Sequence, residues 1–280
     1  MNTSKRRLAI ALVTVATVLE VSAQNFQFDT SRIEKKPSAT LPALRLKPGA
    51  FETTNILRAF AGTTEQVERR ERIGPTRLIE FTKNWRVERD PIEGALLVAH
   101  LTPAGENVVT TPEGARRQSS VQRLSQFGIP STEVGRVITK NLVTRDLDAN
   151  ATQPGDAKLL RYKTFIMREI NGIPVEGHRA VISQAPSGAF HRANLVWPAT
   201  APTGHRLTTR LTTAEITKRA EAALVRENVN EGSVLLRWKY VPVKQQTGAV
   251  TLQLMVGARI KPKTPAATEA REINVPVDAQ

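Results

Sequence analysis

The sequence predicts an α+β fold, helices packed on antiparallel β-sheets in two or three similar units. Three observations predict it. A helical pattern followed by strand runs occurs three times along the 280 residues. The stretch 161–197 carries two hairpin signals in a row, each flanked by residues that suit a half-buried sheet. The chain is 40% apolar with only 5% aromatics and no cysteine, so its cores must be packed from Val, Ile, Leu and Ala without disulfides.

Residues 1–23 read as an export signal. Lys5, Arg6 and Arg7 form a positive start, residues 8–19 an apolar run, and Val21-Ser22-Ala23 a small-residue end. The run is shorter than the roughly 20 residues a bilayer crossing needs. Cleavage near Ala23 is therefore expected rather than an uncleaved anchor, with the mature chain periplasmic or extracellular. Residues 24–50 hold Pro37, Pro42 and Pro48 and little periodicity, which predicts an extended or disordered lead docked through Phe26 and Phe28.

Residues 51–110 form the first unit. Ile56, Leu57 and Phe60 have helical spacing, with Gly62 as a stop. Runs at 76–82, 85–89 and 94–101 follow as strands. Residues 111–200 form the second. Thr111 is positioned as a cap, with Pro112 at the first helical position. Val121 and Leu124 mark an inner face and Gly128 a stop. A strand at 133–143 and a loop at 146–156 come next, then strands at 159–170, 174–184 and 189–197. Asn171-Gly172 tolerates the positive φ of a two-residue turn, and Pro186 and Gly188 punctuate the second reversal. Residues 208–262 form the third unit. Thr212 and Glu215 fit a capping box, and Ile216, Ala220, Ala223 and Leu224 make an apolar stripe. Strands at 233–243 and 248–260 flank a turn at 245–248, and residues 263–280 read as a loose tail.

The run Phe165-Ile166-Met167-Arg168-Glu169-Ile170-Asn171-Gly172-Ile173-Pro174-Val175-Glu176-Gly177, continued by Val181-Ile182 and Ser187-Gly188, resembles the hairpin of PepSY-like and fungalysin/thermolysin propeptide domains. The resemblance extends over roughly 112–260, with residue-level matching confined to 165–188. It implies PepSY-like units whose hairpin is fixed by Asn171, Gly172, Pro174 and Gly188. It also implies a non-catalytic module: a prosegment, inhibitor or extracytoplasmic regulator. No protease domain follows and no His-Glu-x-x-His occurs, so a free-standing binding or regulatory protein is expected rather than a cis-acting propeptide.

No motif for catalysis accompanies this reading. Gly-x-Ser-x-Gly and the phosphate-binding Gly-x4-Gly-Lys-Ser/Thr are absent. Of the histidines His100, His178, His191 and His205, the hairpin register sets His191 opposite Ile182 and His178 opposite Leu195, too far apart to share a metal. Asp146 and Asp148 read as solvated loop acids. No cofactor and no metal are expected. Trp85, Trp197 and Trp238 each fall in a strand run, where they anchor a core or line a groove for peptide or carbohydrate. The residues assigned to binding are Trp197, Trp238, Tyr162, His178, Arg179 and His191. The net charge is +14; loss of residues 1–23 leaves 37 basic and 25 acidic side chains, a net +12. Three functions stay open. The first is an exported module that binds a peptide or protein. The second is a basic envelope protein that binds an anionic polymer or membrane surface. The third is a hydrolase with an unrecognised site. No specific nucleic-acid motif is present.

Overall fold

A computed structural model describes residues 25–37, 41–47, 52–102, 111–145, 155–207, 210–229, 231–244, 250–261 and 271–277. Residues 1–23, read as an export signal, Asp146, Asp148 and the turn at 245–248 lie outside the described residues, as do parts of the lead and tail and the side chain of His205.

The described chain is mostly β. Fourteen strands stand against three α-helices, so the α+β class of PepSY-like helix-on-sheet units is corrected to a mixed, strand-dominated sheet. The strands are β1 (Asn25–Arg32), β2 (Leu41–Lys47), β3 (Arg69–Ile73), β4 (Arg77–Phe81), β5 (Trp85–Asp90), β6 (Ala95–His100) and β7 (Val134–Thr144). They continue as β8 (Lys158–Ile170), β9 (Ile173–Gln184), β10 (Phe190–Val196), β11 (Ala199–Leu207), β12 (Glu231–Lys244), β13 (Val250–Ile260) and β14 (Glu272–Pro276). The helices are α1 (Thr53–Ala61), α2 (Glu113–Gln126) and α3 (Thr213–Arg226).

Two lobes share this sheet. One is antiparallel, in the order β3-β4-β5-β6-β10-β9-β8-β7. The other runs β11-β2-β13-β12, with β1 parallel on β12 and β14 antiparallel on β13. A parallel pairing of Val175 with Tyr240 joins β9 to β12 and so joins the lobes. The segments read as lead and tail thus enter the second lobe as strands. Their partners are far off in the chain, and pairing rather than local pattern decides their conformation.

Period-2 alternation explains the long strands. On β8, Tyr162, Thr164, Ile166, Arg168 and Ile170 are buried, while the residues between them are half-buried. The buried face of the first lobe packs Val87, Val98, Ile166, Ile182 and Leu195 against Ile56, Leu57 and Phe60 of α1 and Leu124 of α2. The second lobe packs Leu236, Tyr240, Leu254 and Val256 against Ile216, Ala220 and Leu224 of α3. Gly62 closes α1 at φ 68, where a residue without Cβ is unstrained. The reciprocal capping box of Thr212 and Glu215 opens α3. At α2 the expected cap is corrected: Pro112 holds the N-cap position, no side chain caps the helix, and the Thr111 carbonyl instead accepts from the Arg116 guanidinium.

Candidate functional site

The hairpin that joins β8 to β9 turns at Asn171 (φ 54) and Gly172 (φ 75). Pro174 and Val175 start the return strand beside β12, so the hairpin tip stands at the junction of the lobes. The second reversal, 185–188, closes with the Gly188 N–H donating to the Ala185 carbonyl at 2.9 Å, and Gly188 sits at φ 84.

Over this hairpin lies a cleft of about 1070 Å³. Strand β9 supplies its floor. Its walls come from β7 and β8 on one side, β12, β13 and β14 on another, and residues 32–37 at the end of β1. Eight cationic side chains and three acidic ones line it. Two of the acids are already neutralised. Lys239, 4% exposed, lies 2.9 Å from Glu272 and 3.1 Å from Glu176. Arg237 reaches Glu272 at 2.8 Å. Burial pushes the Glu272 carboxyl up, but the bonds from Lys239 and Arg237 outweigh it and hold the group below its ordinary value. A Cβ at Gly257 would sit 2.2 Å from the Glu272 carboxylate, so this glycine leaves room for the carboxylate. Of the other cleft cations, Arg136, Arg179 and Arg259 enter no ion pair among the described residues, and all three are exposed.

Behind the cleft, Arg168 is 1% exposed and ties four segments together. Its guanidinium donates to Glu133 at 2.9 and 2.8 Å, to the Pro198 carbonyl at 2.7 Å and to Nδ1 of His178 at 3.3 Å. Trp197 donates to the same Glu133 oxygen at 3.0 Å. Because an arginine has only donors, Nδ1 of His178 must accept and the ring is neutral with its proton on Nε2. Burial, then the Arg168 charge, pushes His178 down to about 4. His191 is held the same way by Arg161 at 3.1 Å, and burial with that charge pushes it to about 4. Neither ring bonds a carboxylate or a hydroxyl among the described residues.

The six residues assigned to binding are therefore separated. Arg179, His178 and Trp238 line the cleft. Trp197 is buried against Glu133, Tyr162 is buried beneath the Arg116 guanidinium at 3.5 Å, and His191 is buried beside Arg161. The expected histidine register is also corrected. Ile182 pairs with Ala193 and Leu195 with Ala180, because a bulge between Phe190 and Arg192 displaces His191 from the ladder. Among the described residues no group of three His, Asp or Glu could hold a metal ion, and no helix is long and apolar enough to cross a membrane. Sequence reasoning missed Arg136, Arg237, Lys239 and Arg259. The available signal was the alternation Arg237-Trp238-Lys239, a charged face on a strand that otherwise reads as buried.

No family model matches the chain and no curated protein does. Solved structures do. An uncharacterized protein from Eubacterium rectale ATCC 33656 has 11% identity and a TM-score of 0.54, covering 91% of this chain and 88% of its own. The C-terminal domain of YpeB from Bacillus megaterium has 8% identity and a TM-score of 0.36, covering 83% of this chain and 94% of its own. The first is a likeness of fold. The PepSY-like resemblance rests on the residues of 165–188.

Proposed function

We propose that this protein is an exported, non-catalytic binding or regulatory module that holds an acidic segment of a partner protein in the cleft between its lobes. One observation carries the reading: eight cations face three acids there, and two of those acids are consumed by Lys239 and Arg237. Carboxylates of an entering segment accept charge-assisted bonds from Arg136, Arg179 and Arg259, which are stronger than neutral ones. The surplus positive field also raises the rate of encounter and makes it depend on salt.

The test is a titration of a labelled Glu-rich extended peptide, with its Gln analogue as control, against the wild type and the triple variant Arg136→Glu/Arg179→Glu/Arg259→Glu. The Glu peptide is expected to bind, to weaken about tenfold or more between low and physiological salt, and to be lost on the variant. Equal binding of both peptides, or binding that survives the triple reversal, contradicts the reading. Heparin or anionic vesicles binding where the peptide does not would replace it with the anionic-polymer or membrane-surface reading.

A further inference from the structure

The face of the eight-stranded lobe opposite α1 and α2 carries no helix among the described residues. Alternation and register sort its side chains into rows that cross the strands. The middle row is Ile138, Phe165, Val181, Asn194 and Leu97. Its four apolar members are half-buried, while Asn194 among them is exposed. One neighbouring row carries Lys140, Lys163, Arg192 and Arg86, the last paired at 2.8 Å with Glu88, which follows Leu97 in the middle row. The other carries Met167 and Arg179, with Arg136 beyond them, and continues through Val196 and Ala95 to Asp90. An apolar stripe thus runs between a cationic border and a second border that is cationic at its β7–β9 end, four residues apart along the strands, about 13 Å. That spacing matches the roughly 10–12 Å diameter of an α-helix. The stripe crosses five strands at about 4.8 Å each, a path of about 19 Å, or about 13 helical residues.

We propose that this face docks an amphipathic helix of the partner, apolar along one stripe and bordered on both sides by Asp and Glu. The inference rests on the acidic-partner reading above and gives that partner its shape. An anionic polymer would gain nothing from Phe165, Val181 and Leu97. A second copy of this chain is disfavoured by charge, since α2 carries Arg116, Arg117 and Arg123 against Glu113 alone.

The probe is a labelled synthetic 14-residue helix with a Leu stripe and Glu borders, alongside a peptide of the same composition in permuted order. Binding to the full chain is read by anisotropy for the wild type, Phe165→Ser, the surface variant Lys163→Glu/Arg192→Glu, and the cleft variant Arg259→Glu/Lys36→Glu. Circular dichroism checks that each variant is folded, and the surface pair keeps the test alive should Phe165→Ser unfold. Expected are binding of the helix at least about tenfold tighter than of the permuted peptide, and a loss of about tenfold or more on the stripe and border variants. Equal binding of the two peptides, or a helix indifferent to the border reversal, overturns the inference. Failure of the helix while the extended Glu peptide still answers to Arg259→Glu/Lys36→Glu overturns the helix alone and leaves the cleft reading standing. Competition by anionic vesicles that abolishes helix binding through the same border residues overturns it in favour of a lipid surface.

Discussion

Arg168 shows what a single buried charge demands. At 1% exposure it is held by Glu133, the Pro198 carbonyl and His178. Removing it leaves a carboxylate and a carbonyl short of their donor, and breaking a buried pair from one side costs more than the pair was worth. Arg168→Met is expected to lower stability by about 3 kcal/mol in urea denaturation, with part of the loss recovered by adding Glu133→Gln. A loss under about 1 kcal/mol would show that the network is dispensable. His178 makes a separate prediction. Its folded value, about 4, lies below its ordinary 6.5, so the unfolded chain binds the proton more readily between those pH values. Stability is therefore full above pH 6.5 and falls as pH drops toward 4, by up to about 1.4 kcal/mol per pH unit for each such ring. His191 contributes with the same sign, near Arg161, His100 and Arg192. His178→Asn keeps an acceptor for Arg168 and is expected to flatten the slope over that window; an unchanged slope would contradict the assignment. The direction of these shifts was not legible in the sequence, because the arginines that hold the rings lie 10 and 30 residues away.

Elements announced by local chemistry were legible, and elements made by distant pairing were not. Asn171-Gly172 and Thr212 with Glu215 carry their structural reason within four residues. By contrast β1 pairs with β12 and β2 with β11 and β13, so nothing in residues 25–47 by themselves dictates a strand. Strand β3 reads Arg-Arg-Glu-Arg-Ile, with every side chain exposed, and is extended because β4 pairs with it. The cleft was hidden for the same reason, since its cations come from β1 and the residues just after it, β7, β9, β12 and β13. Two glycines separate turn strain from close packing. Gly172 has φ 75 with nothing near a Cβ, whereas at Gly94, φ 62, a Cβ would fall 2.3 Å from the Pro198 backbone where the chain passes from β10 to β11. Gly172→Ala is expected to cost about 1 kcal/mol from conformation alone. Gly94→Ala is expected to cost clearly more, because the backbone must move as well. Equal melting shifts for the two would contradict the close approach.

At the scale of the whole molecule, two cores share a continuous sheet, joined where Val175 pairs with Tyr240. That joint is also where charge is left over. Burial pushes the Tyr240 hydroxyl up to about 12, with the Asn171 side chain pulling the other way, and the Val175–Tyr240 pairing sets the start of β9 against the second lobe. The cleft walls therefore come from both lobes, and a segment gripped there contacts each of them. Hydrogen exchange of the full chain, with and without the Glu-rich peptide, tests this most directly. Slower exchange is expected at the hairpin tip 171–179 together with the cleft-lining ends of β7, β12 and β13, and no such change with the Gln analogue. Protection confined to one lobe away from the hairpin, or the same pattern with both peptides, would contradict it.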